Sequence, residues 1–219
     1  MFFHHSGIPK RILALALTGA SVISLGLPVQ AASKVDGSDY QSGYSQTISM
    51  KTLLIPALNA AADAKSVTRQ LTNALAYRQI TQADIFEMRS EGVNIPDETL
   101  KALSDEGYLS SYIYKYFSGE AFTADDFADV FNAAYYYGAN PELMEAGVAY
   151  DEDTLLQDFL TVGMSLGRQA SADFNLAYFK ANYPELAESL GDVNANYYIY
   201  YILYGKSNGL VADRLLSDE

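Results

Sequence analysis

From residue 51 onward, apolar residues recur at helical spacing. In "MKTLLIPALNAAADAK", Leu54, Ala57, Leu58 and Ala61 fall on one face. Pro56 sits either in the first turn or at a kink. Ser66 can cap "VTRQLTNALAYRQ", where Val67, Leu71, Ala74 and Leu75 form a stripe. Thr81 with Asp84 reads as a capping box opening "QADIFEMRSEG". Asn94-Ile95-Pro96 opens "DETLKALSDEG", which Gly107 ends. The aromatics of "YLSSYIYKYFSG" suit helix or strand, and helical neighbours favour helix, closing at Gly119. Thr123 with Asp126 is a second capping box, ahead of "DFADVFNAAYYYG", where Phe127, Val130, Phe131, Ala134 and Tyr135 keep the helical period. Gly138 ends that helix, Asn140 caps and Pro141 starts "PELMEAG", and Gly147 closes it. Asp151 to Asp153 then begin "TLLQDFLTVGMSLGR", with Leu155, Leu156, Phe159 and Leu160 on its apolar face and Gly163 and Gly167 punctuating its end.

The same order of signals then returns. "FNAAYYYGANPEL" (131–143) is answered by "FNLAYFKANYPEL" (174–186), with seven of thirteen positions identical at an offset of 43. Past the turn the offset drops to 42, so that Tyr201 matches Phe159, Gly205 matches Gly163 and Gly209 matches Gly167. A period near 43 built from short helices is the mark of stacked helical units, because one unit of this size buries too little surface alone. The shared aromatics are then core residues first, ahead of a binding platform. The expected fold is all-α: short-helix tandem repeats in a solenoid-like stack, following a helical N-terminal region. The expected division is a leader at 1–31, a flexible lead-in at 32–50, a helical region at 51–122, a first unit at 123–170, and a second unit with a C-terminal cap at 171–219.

These units resemble a degenerate bacterial helical repeat with a period in the low forties, of the form "FD..YY...NPDL......D...L..HYL..G..EGR". Here it stands as "FNAAYYYGANPEL…DEDTLLQDFLTVGMSLGR" and "FNLAYFKANYPEL…YYIYYILYGKSNGL". The resemblance spans positions 127 to 212 and implies a secreted or accessory helical segment of a kind with no established activity of its own. The first copy keeps "GMSLGR", whereas the second has Leu210 where Arg is expected, as a terminal unit would. Positions 51–122 fall outside the resemblance.

Composition sharpens the picture once the start of the chain is considered. In "MFFHHSGIPKRILALALTGASVISLGLPVQAAS", Lys10 and Arg11 form a positive start, Ile12 to Leu27 an apolar run, and Val29-Gln30-Ala31 a small-residue cleavage signal. The run is shorter than the ~20 residues of a spanning helix. An export signal cut after Ala31, or secondarily Ala32, is expected. The mature chain, 32–219, then carries 12 basic against 27 acidic side chains, a formal charge of −15. Both histidines, His4 and His5, leave with the leader, and Cys and Trp are absent throughout. Lack of Cys removes disulfides and thiolate chemistry. Lack of His removes the usual general base and imidazole zinc sites. The acidic balance argues against nucleic acid and anionic membrane surfaces as partners.

The remaining candidates are carboxylates and tyrosines. Asp151, Glu152 and Asp153 invite a calcium reading, but the spacing lacks the Gly and Glu of a twelve-residue loop, and acids are favoured at a helix start anyway. Asp125 with Asp126, or Glu142 with Glu145, could form a hydrolase pair, though nothing singles out two carboxylates. No metal or cofactor is expected. Of 18 tyrosines, five crowd "NYYIYYILYG" in the final unit. Tyr197, Tyr201 and Tyr204 share one helical face; Tyr198 and Ile202 lie on another. With no following unit to cover them, Tyr197, Tyr198, Tyr200, Tyr201 and Tyr204 are the candidate ligand-contact residues, the alternative being burial between stacked units.

Together these features predict an exported, non-catalytic interaction module, extracellular or non-covalently associated with the cell wall, whose partner is a protein or a cell-wall glycan. The negative charge favours a neutral or basic ligand. The rival expectation is a carboxylate-dependent hydrolase, or an accessory subunit of a glycan-active enzyme.

Overall fold

A computed structural model describes residues 50–216. The expected cleavage at Ala31 or Ala32 and the lead-in up to position 49 lie outside the described residues. Helices run in the order α1 (Met50–Asn59), α2 (Ala64–Ala76), α3 (Gln82–Ser90), α4 (Asp97–Asp105), α5 (Ser111–Ser118), a 3₁₀ turn (Ala124–Phe127), α6 (Ala133–Ala139), α7 (Pro141–Glu145), α8 (Glu152–Asp158), α9 (Met164–Leu166), α10 (Leu176–Asn182), α11 (Leu186–Leu190) and α12 (Asn194–Tyr200). No strand occurs among the described residues, and no described helix is long and apolar enough to cross a membrane. The aromatic segment at 111–118 is a helix, as its neighbours suggested.

Both expected capping boxes are formed. Thr81 and Asp84 exchange backbone and side-chain bonds at the start of α3, and Thr123 and Asp126 do the same at the 3₁₀ turn. Three local expectations fail for identifiable reasons. Ser66 does not cap α2: Asp63 does, accepting from the Ser66 N–H at 2.8 Å, because a carboxylate three positions earlier is the stronger acceptor. "DFADVFNAAYYYG" is not one helix. It breaks between the 3₁₀ turn and α6, where Asn132 caps α6 through Tyr135 and donates its own N–H to the Ala170 carbonyl at 2.7 Å. Asn140 stands at the N-cap position of α7 but does not cap it. Its side-chain amide bonds the Tyr136 and Gln169 carbonyls instead.

The two similar segments share several contacts. Asn175 caps α10 as Asn132 caps α6, and its N–H reaches the Ala212 carbonyl at 2.8 Å. Phe131 and Phe159 stack at 5.0 Å; their counterparts Phe174 and Tyr201 lie at 4.9 Å. Tyr136 meets Phe159 edge-on at 5.5 Å, and Phe179 meets Tyr201 edge-on at 5.4 Å. Helix α8 runs into a π-turn at Phe159–Gly163, and α12 into another at Tyr201–Gly205. Gly163 therefore widens the helix rather than ending it, and α9 continues to Leu166. Tyr198 joins the two aromatic groups, 5.5 Å from Phe159 and 4.9 Å from Phe174. The core is thus one continuous run of rings through both segments, as expected of the shared aromatics.

The N-terminal helices close over the end of the second segment. In the second π-turn the Lys206 N–H reaches back to the Tyr201 carbonyl, so the ladder is out of step with an α-helix. The Gln82 side-chain amide, on α3, donates to the Ile202 and Leu203 carbonyls at 3.1 and 3.2 Å, while its oxygen accepts from the Ser110 N–H.

Candidate functional site

This closure corrects the expectation that α12 and its π-turn lack a cover. Tyr197, Tyr198 and Tyr201 are buried and belong to the core. The Tyr198 hydroxyl donates to the Arg168 carbonyl at 2.8 Å and the Tyr197 hydroxyl to the Gly191 carbonyl at 2.9 Å. Tyr200 and Tyr204 are half-buried and stacked on each other at 4.8 Å. The Tyr204 hydroxyl donates to Glu87 of α3 at 2.6 Å, and Glu87 also holds Lys51 at 2.7 Å. Burial, and then the Glu87 carboxylate, push the Tyr204 phenol well above its ordinary range. The five rings therefore do not form an open strip. The physical reason is packing on Phe159, Phe174, Phe179 and Lys180 for Tyr197, Tyr198 and Tyr201, and the fold-back of α3 for Tyr204, contacts that no local pattern encodes.

A polar cluster lies under the first segment instead. Tyr136, at the middle of α6, donates its hydroxyl to Asp158 at 2.5 Å. Arg168 donates to Asp158 at 2.9 Å and to the Tyr136 oxygen at 3.2 Å, and its Nε pairs with Glu142 at 2.9 Å. Gly163 makes room for this: a Cβ there would collide with the Tyr136 oxygen. Burial first, and the Asp158 bond second, hold the Tyr136 phenol well above its ordinary value. A carboxylate gripped by a guanidinium and a phenol is a satisfied structural acceptor, one component of a partly buried network. At the matching places of the second segment stand Phe179, Tyr200 and Leu210. Hydroxyl, carboxylate and guanidinium are thus all exchanged together. The sequence signal was the Arg-to-Leu departure at 210, which marked one member of a set of three.

The other candidate carboxylates divide between caps and open surface. Asp151 caps α8 by accepting from the Thr154 N–H at 2.9 Å, a bond that lowers its pKa. Glu152 and Asp153 follow in the first turn, as the dipole favours. Among the described residues, no group of three His, Cys, Asp or Glu is placed to hold a metal. Asp126 is buried; its Oδ2 accepts from Thr123 and from Lys115 at 2.8 Å, while its Oδ1 has no partner. Its neighbour Asp125 is exposed, as is Glu145.

No protein-family model matches this chain, and no curated protein or solved structure is significantly similar to it.

Proposed function

We propose that the mature chain is an exported, non-catalytic interaction module of the bacterial cell envelope or extracellular space, built from two tandem helical units and an N-terminal helical region packed on the second. The observation that carries this reading is how the chemistry-capable groups are engaged. Asp158, Arg168, Tyr136 and Glu142 bond one another, Asp126 and Asp84 close capping boxes, and Asp151 caps a helix. These carboxylates are internal fasteners rather than a converging acid–base pair. The recurring contacts at offsets of 42 and 43 support a stack of like units, and with it the resemblance to the bacterial repeat. Export rests on the leader at 1–31. Protein is the favoured partner class over glycan, because the tyrosines that would stack on sugar rings are largely covered.

The test is binding and hydrolysis measured side by side. Mature protein, 32–219, is incubated with purified cell walls and separately with culture supernatant. Retention without release of reducing ends or peptides is the expected result. Catalytic release that disappears in Asp158→Asn would replace this reading with the hydrolase. Mass spectrometry of exported material should find an N-terminus at Ala32 or Ser33; intact Met1 chain in the membrane fraction would refute export.

A further inference from the structure

In a chain this acidic, cations are expected to find acids, and seven of the eleven Lys and Arg among the described residues do. Lys51, Arg89, Lys101, Lys115, Arg168, Lys206 and Arg214 form ion pairs. Lys180 bonds Asn194 and lies over the Tyr197 ring. Among the described residues the exceptions are Lys65, Arg69 and Arg78, which make no ion pair, side-chain hydrogen bond or cation–π contact and are all exposed. Asp63 feels Lys65 and Arg69, but its carboxylate is held by the Ser66 N–H. All three belong to α2 and the turn after it. The stretch 64–83 contains no Asp or Glu at all. Lys65 and Arg69 are one helical turn apart on the exposed side of α2, and Arg78 stands in the turn that follows the helix.

A second, independent feature marks the same place. Seven glycines take positive φ, at helix ends and turns, whereas α2 is followed by Arg78 at φ 53°, the one non-glycine of this kind among the described residues. Its surroundings repeat those of the glycine turns: the next N–H, from Gln79, bonds the Ala74 carbonyl at 2.8 Å, as Tyr108 bonds Leu103 after Gly107. The position thus suits Gly, and an Arg held there is strained. Tyr77 beside it is 77% exposed, the most exposed large apolar residue described. Tyr and Arg are the side chains most enriched where protein contacts concentrate their energy.

We propose that the outer face of α2 with the Tyr77–Arg78 turn is the docking surface of the module, and that its occupant is an acidic polypeptide segment of a partner protein. This rests on the interaction-module reading. A neutral glycan would not call for three bare cations. A long anionic polymer would be repelled by the −15 of the mature chain, whereas a short acidic segment meets Lys65 and Arg69, one helical turn apart, within a Debye length of about 8 Å. The Tyr77 ring supplies apolar contact area and Arg78 a planar fork for a carboxylate.

The probe is a fluorescein-labelled, Glu-rich peptide of fifteen positions with one Phe, titrated with the mature chain and followed by anisotropy. Saturable binding that weakens with added salt is expected, and an uncharged Gln-rich peptide of equal length with one Phe should not bind. The double change Lys65→Glu/Arg69→Glu should weaken binding at least about tenfold by removing and reversing contact charges, and Arg78→Gly should weaken it while raising the denaturation midpoint. These residues are exposed, and unchanged circular dichroism verifies the fold. Absence of saturation, equal binding by the double variant, or tighter binding of polyphosphate than of the peptide would each overturn the proposal. Retention of wild-type protein on walls or supernatant components is a separate readout, so failure of the surface and failure of the module reading are told apart.

Discussion

Replacing Gly163 by Ala tests the packing of the first segment at one atom. The added methyl would overlap the Tyr136 oxygen and sit 3.1 Å from both the Tyr136 Cζ and the Phe159 ring. Neither ring can swing freely. Tyr136 is fully buried and wedged between Phe131 at 5.7 Å and Phe159 at 5.5 Å. Relief of the clash must therefore draw the hydroxyl off Asp158. Loss of a hydrogen bond to a charged group costs about 1.5–3 kcal/mol, and overpacking adds about 1–3 kcal/mol. Ala is favoured over Gly in a helix by about 1 kcal/mol, which offsets part of this. The net expectation is a destabilisation of about 2–4 kcal/mol, read from urea unfolding followed by far-ultraviolet circular dichroism. The decisive control is the same substitution in a Tyr136→Phe background. With the oxygen gone, the nearest remaining contacts are the 3.1 Å ones, which a shift of a few tenths of an ångström relieves. There the cost should fall by at least half, giving a double-mutant coupling above about 1 kcal/mol. An equal cost in both backgrounds would show that the hydroxyl contact does not explain the glycine.

Phe131→Ala and Phe174→Ala should each cost about 3–5 kcal/mol, since both rings are buried at matching places; a loss below about 1 kcal/mol at either would break the correspondence between the segments. Alkaline stability follows from the buried phenols. Tyr112, Tyr136, Tyr198 and Tyr204 are held above their ordinary value of 10.0, chiefly by burial. The unfolded chain sheds those protons near pH 10 and the folded chain keeps them, so the unfolded state binds fewer. Stability is therefore flat with respect to these groups below about pH 10 and falls above it, by about 1.4 kcal/mol per pH unit for each phenol. Tyr136→Phe should remove one phenol's share of that slope, and urea unfolding at a series of alkaline pH values checks it. Arg78→Gly should stabilise by about 0.5–1 kcal/mol by relieving the positive φ; destabilisation would mean that the Arg side chain supports the fold.

The periodicity, the two capping boxes and the matched pair of segments were legible because each is a local or repeated signal. A Thr and an Asp three positions apart satisfy each other's backbone without help from elsewhere. Phe131 and Phe174 could be placed in the core from spacing alone. The interruption at Asn132 was not legible, because the bond that fixes it goes to the Ala170 carbonyl, at the far end of the same segment. The tyrosines of α12 show the division most plainly. Their clustering could be read along the chain, and so could both possible fates, covered or open. Only tertiary contacts decided between them: Phe159 and Phe174 on Tyr198, Phe179 on Tyr201, and the return of α3 with Glu87 on Tyr204. The bare cations of α2 were each visible as letters, but a cation's partners lie wherever the fold brings acids near. That Arg168 is paired and Arg78 is not depends on distances in space, which composition and spacing along the chain do not contain.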